Sequence, residues 1–142
     1  MRKEVIKYTD YNGLERTKTC YFNLSKGELA EMEMSVNGGL AELLQKIIEE
    51  YNGPALFKHF KEFLLKAYGE KREDGDRFFK SEELSNAFYQ TEAYSVLLMK
   101  LINDSSFAAE FVNAVVNISP QDIKPELKKI PEANREEVPT EQ

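Results

Sequence analysis

The chain has 142 residues, the length of one ordinary domain with room for a tail. Hydrophobic residues make up 42% and aromatic residues 11%, enough to bury a core, which excludes wholesale disorder. Nineteen Lys and Arg stand against 25 Asp and Glu, a net charge of −6, so phosphate backbones are repelled and nucleic acid is not an expected partner. No apolar run approaches the ~20 residues needed to cross a bilayer. The opening Met1-Arg2-Lys3-Glu4 is followed by no signal-peptide core, so no membrane partner is expected. A single cysteine, Cys20, leaves no internal disulfide and suits a reducing cytoplasm.

Residues 2–24 read as a β-hairpin. Val5, Ile6 and Tyr8 lead into Asp10-Tyr11-Asn12-Gly13, and Asn-Gly is a strong hairpin signal because both residues tolerate positive φ. The return strand, Thr17 to Leu24, is rich in β-branched and aromatic residues. Two strands alone are marginal in water, so a helix or a second subunit must cover one face. Lys3, Lys7 and Lys18 can guard the open edge of such a hairpin.

Ser25-Lys26-Gly27-Glu28 has the form of a capping box opening a short first helix. That helix ends before Asn37-Gly38-Gly39. The second, about Leu40 to Tyr51, places Leu40, Leu43, Leu44, Ile47, Ile48 and Tyr51 on one stripe, with Glu42, Gln45, Lys46 and Glu49 turned to water. Asn52-Gly53-Pro54 breaks the chain, with Pro54 suited to the first turn of a third helix. Its apolar side carries Leu56, Phe57, Phe60, Phe63, Leu64 and Tyr68, and Gly69 stops it. Residues 70–77 read as a charged loop.

Ser81-Glu82-Glu83 opens a fourth helix, and Gln90-Thr91-Glu92 is either a kink or the cap of a fifth, Ala93 to Ile102. A sixth runs from Phe107 to about Asn117 behind the capping run Asn103-Asp104-Ser105-Ser106. The last two are apolar around most of their circumference. They are either the centre of the bundle or covered in part by another protein. Residues 118–142 hold four of the five prolines and no aromatic residue, the composition of a flexible tail. The expected architecture is therefore mainly α: a small bundle of about six short helices after an N-terminal β-hairpin (α+β). One globular domain spans 1–117, with the hairpin at 1–24 and the bundle at 25–117, and a Pro- and charge-rich tail follows.

Little chemistry is legible. His59 lies at the edge of an apolar stripe, and Cys20 sits in a strand with no activating base nearby. No Cys-x-x-Cys or His-x-x-x-His spacing offers a metal site. The Glu73-Asp74-Gly75-Asp76 run lacks the alternating oxygen ligands of a calcium loop. Asn37-Gly38-Gly39 has no accompanying phosphate-binding pattern. No catalytic residue, metal or cofactor is expected, and the chain reads as a non-enzyme.

Tyr21-Phe22-Asn23-Leu24-Ser25-Lys26-Gly27-Glu28-Leu29 and Asn37-Gly38-Gly39-Leu40 resemble segments of the tail assembly chaperones of long-tailed bacteriophages and prophages. The likeness continues through Leu65-Lys66-Ala67-Tyr68-Gly69, Asp74-Gly75-Asp76-Arg77-Phe78 and Lys80-Ser81-Glu82-Glu83-Leu84 to Phe88-Tyr89-Gln90-Thr91-Glu92-Ala93-Tyr94-Ser95. It covers about residues 5–117, and Asp76 departs from it where the family often carries a basic residue. The resemblance implies a non-enzymatic factor of the infected bacterial cytoplasm, absent from the finished virion. It would bind and solubilise the tape measure protein and help recruit tail tube subunits, with self-association left open. A structural tail or connector protein, or an acidic antitoxin-like binding module, are the alternatives. The partner surface is expected on the outward sides of the last two helices, at Met99, Phe107, Phe111 and Val115.

Overall fold

In a computed structural model of the chain, residues 1–33, 39–49, 51 and 53–116 are described. Strand β1 (Arg2–Thr9) turns into β2 (Glu15–Phe22) through a loop that Asp10 organises. Its Oδ1 accepts from the N–H groups of Asn12 (2.8 Å) and Leu14 (2.9 Å), while Gly13, at φ 82°, donates to the Asp10 carbonyl. Glycine, with no Cβ, adopts that φ without strain. The Arg16 guanidinium, 2.6 Å from Asp10 Oδ2, holds the Asp10 carboxyl below its ordinary range, helped by the backbone N–H groups. The strands pair antiparallel from Arg2 opposite Phe22 to Thr9 opposite Glu15. Ile6, Cys20 and Phe22 turn inward, while Lys3, Val5 and Lys7 face out. β1 is an edge of the sheet, so Lys3 and Lys7 stand where edge guards are useful.

Six helices follow: α1 (Lys26–Glu33), α2 (Gly39–Glu49), α3 (Leu56–Ala67), α4 (Glu82–Tyr89), α5 (Glu92–Asn103) and α6 (Ser105–Val116). The expected caps form. Ser25 Oγ accepts from the Glu28 N–H as Glu28 Oε1 accepts from the Ser25 N–H, and Ser81 Oγ accepts from the Leu84 N–H. Thr91 accepts from the Tyr94 N–H, so the Gln90-Thr91-Glu92 stretch is a fresh cap rather than a kink. Asp104 does the same for Phe107 at the start of α6. The Asn37-Gly38 part of the first break and the tail at 118–142 lie outside the described residues.

The sheet is larger than the hairpin the sequence predicts. α3 ends at Ala67, one residue before its expected end, because Tyr68 takes extended angles (φ −66°, ψ 140°). The chain passes straight into β3 (Tyr68–Lys71), which pairs with β2, and β4 (Phe78–Phe79) pairs with β3. The charged loop closes this second hairpin, with Gly75 at φ 81° and its N–H on the Arg72 carbonyl. All four strands are antiparallel in the order β1-β2-β3-β4.

Gly69 is therefore a strand residue, and its place is tight. A Cβ there would lie 2.5 Å from Phe78 Cε2 and 2.7 Å from the Phe79 carbonyl oxygen. The ring can swing away, but the carbonyl belongs to the paired strand. Gly69→Ala is expected to cost about 1–3 kcal/mol in urea unfolding. Gly27→Ala, where the nearest atom is Ser25 Oγ at 4.0 Å in a helix, should be neutral or stabilising by up to about 1 kcal/mol. Equal effects at the two sites would refute this account of β3.

The core gathers where β2, β3 and the helices meet. Phe22 sits edge-on to Tyr68, Phe88 and Phe111, with ring centroids 5.7, 5.6 and 5.2 Å away. Tyr68 and Phe88 stack at 4.4 Å. The Tyr51 hydroxyl donates to the Leu101 carbonyl at 2.7 Å, tying the end of α2 to α5. α6 is buried along most of its length: it packs against α5 and β1, the Phe63 ring of α3 meets Phe111, and Leu24 N–H reaches the Val115 carbonyl. On α3 the buried stripe is Leu56, His59, Phe60, Phe63, Leu64 and Ala67. Phe57, read in the sequence as part of that stripe, is instead 45% exposed at its edge, in the first turn of α3.

Candidate interaction surface

The reactive side chains are inside and occupied with packing. Cys20 is 1% exposed, and burial pushes its thiol up to about 11, with the Lys18 charge pulling the other way. It is neutral at ordinary pH and is no ready nucleophile. His59 is 8% exposed on the inner side of α3. Among the described residues, no group of three or more His, Cys, Asp or Glu is placed to hold a metal, and no helix is long and apolar enough to cross a membrane.

Two open clefts are lined by polar groups that already have partners. One, about 600 Å³ between α3 and α4, includes Lys80 and Ser85. Lys80 Nζ lies 2.6 Å from Glu28 Oε2 and 2.9 Å from the Lys66 carbonyl, and Ser85 Oγ donates to the Leu65 carbonyl. The other, about 460 Å³ along the first hairpin, contains Arg16, which is paired with Asp10. Neither gathers groups toward a common reacting atom.

Of the four residues expected to face outward, Met99 is 44% exposed on α5, whereas Phe107, Phe111 and Val115 are 8, 0 and 0% exposed. The apolar surplus of α6 is covered from within the chain. Phe111 meets Phe22 and Phe63, and Phe107 lies under Lys100 (4.2 Å) and Arg2 (5.2 Å). The sequence shows that α6 needs cover on every side; it does not show that the sheet and α3 supply it.

Besides Met1 and Leu14, the exposed large apolar residues among those described fall in two sets. Val96 and Met99 stand one turn apart on α5, beside β1, the strand whose Val5 faces out. The other group is aromatic. Phe57 is followed one turn later by Lys61, whose Nζ lies 4.1 Å from the centroid of the Tyr89 ring. Tyr89, 40% exposed, sits edge-on against Tyr94 at 4.9 Å. Beyond it the hydroxyl of Tyr11, 74% exposed at the tip of the first hairpin, donates to the Gln90 carbonyl at 3.3 Å. The Glu92 carboxylate beside the same phenol raises its pKa. In the sequence Tyr11 is only a turn residue, and Tyr89 is masked by the buried Phe88 before it. Nor does the spacing of Phe57 mark this surface, because it shares a helix row with the buried Leu64, seven residues on.

Comparison with known families matches the whole chain, residues 1–142, to the model of a family described as phage tail assembly chaperone. No curated protein and no solved structure shows a significant match.

Proposed function

Because the chain belongs to the phage tail assembly chaperone family, we propose that it binds the tape measure protein of a long-tailed phage, keeps it soluble and helps bring tail tube subunits to it. The match over residues 1–142 carries this reading. A tape measure chain presents long amphipathic helices with no tube yet around them, and exposed apolar stripes of that kind aggregate. A helix-in-groove contact covers them. Each contact has to release when tube subunits arrive, so affinity resides in many copies along one client rather than in one tight site. The net charge of −6 keeps a coated client dispersed.

In this reading the described body, within residues 1–117, does the binding. The protein works in the host cytoplasm by association rather than catalysis, and leaves before the particle is complete. Co-expression with the tape measure protein of the same phage is the test. Wild type should move the client from the pellet to the soluble fraction and co-purify with it, and mass spectrometry of finished particles should find none of this chain. An insoluble client would refute the reading. Stoichiometric presence in particles would make the protein a structural tail component instead.

A further inference from the structure

Resting on the chaperone reading, we propose that the aromatic strip of Phe57, Tyr89 and Tyr11 is where an amphipathic client helix docks, its flanking carboxylates meeting Lys58 and Lys61. Three separate parts of the chain build the strip: the start of α3, the end of α4 and the first hairpin. It is held in shape before any partner arrives. Lys61 is fixed over the Tyr89 ring, Tyr89 leans on Tyr94, itself 6% exposed, and the Tyr11 hydroxyl is tied to Gln90. Preordered aromatic side chains lose little freedom on binding and often supply most of an interface's energy.

The charge around the strip selects the occupant. Lys58 is exposed and Lys61 half-buried on α3 next to Phe57, while Glu92 lies at the other end of the strip, beside Tyr11. A chain of net charge −6 thus presents two lysines at the α3 end of the exposed aromatic rings. A helix with an apolar stripe bordered by Glu or Asp fits both features.

The probe is a synthetic amphipathic helix of about 20 residues, ~30 Å long, with leucines at i, i+3, i+4 and i+7 and glutamates on both flanks. A twin carries lysines instead. Fluorescence anisotropy with the full chain should show saturable binding of the glutamate peptide and at least tenfold weaker binding of the lysine twin. Phe57→Asp should weaken the glutamate peptide about tenfold with at most a small shift of the melting midpoint, since the side chain is 45% exposed. Lys58→Glu should reduce or reverse the preference between the peptides.

Equal binding of the two peptides, or wild-type binding by both variants, would overturn the proposal. So would loss of binding in Met99→Asp alone, or a dimer in sedimentation that Phe57→Asp dissolves. The chaperone reading is tested separately. If Phe57→Asp still solubilises the tape measure client, the strip is wrong and the chaperone stands; if wild type does not, both fail.

Discussion

Phe111→Asp is expected to abolish the cooperative unfolding transition. Phe111 is 0% exposed at the middle of α6, with ring contacts to Phe22 at 5.2 Å, Phe63 at 6.3 Å and Phe107 at 6.0 Å. Removing the ring alone costs about 3–5 kcal/mol. A carboxylate in its place has no ring partner that can hydrogen-bond to it. It adds several kcal/mol more, whether it stays charged or takes up a proton. Total stability for a domain of this size is about 5–15 kcal/mol, so the losses consume most or all of it. Far-UV circular dichroism with urea should show a broad, non-cooperative decline. Phe111→Leu, which keeps most of the apolar bulk, should retain a sharp transition at a lower midpoint. The result also separates two roles: a docking residue replaced by Asp melts like wild type and loses only its partner, and that outcome would overturn the placement of Phe111 in the core.

Phe22→Ala is expected to cost about 3–5 kcal/mol, nearly as much from a very different position. Phe22 is the last residue of β2, and its ring joins three other elements at once: Tyr68 on β3, Phe88 on α4 and Phe111 on α6. Edge-to-face aromatic pairs add about 0.5–1.5 kcal/mol each beyond area burial, which places the loss toward the upper end of the range. The cavity would open between layers that cannot collapse together, because Tyr68 and Phe88 are already stacked at 4.4 Å. In urea the midpoint should fall with little change in slope. The double variant with Phe88→Ala should lose less than the two single losses added, since both rings border the same space. A loss below about 1 kcal/mol would show that the joint is not what holds sheet to helices.

Phe57→Asp makes a contrast within the same residue type. Its cost is read in binding and not in folding, because its ring is 45% exposed while that of Phe22 is fully enclosed. Residue type predicts neither result; position does.

Amino-acid order by itself determined the local architecture of this protein. The Asp10 to Gly13 turn, the Ser25/Glu28 box, and the caps at Ser81, Thr91 and Asp104 form through contacts within four residues, and such short-range chemistry is written directly in neighbouring side chains. The six helices follow from it, as does the resemblance to tail chaperones. Tertiary structure decided the rest. β3 and β4 are four and two residues long, too short and too charged to carry an alternating pattern, and they exist because β2 offers an edge and Gly69 lets Phe78 approach. It also decided which apolar residues are hidden. α6 looks like surplus surface until the sheet, α3 and α5 together close over Phe107, Phe111 and Val115. Phe57, Tyr89 and Tyr11, scattered along the chain, become one surface only when α3, α4 and the first hairpin are brought together. Burial depends on what lies across a gap of many residues, and no local spacing contains that information.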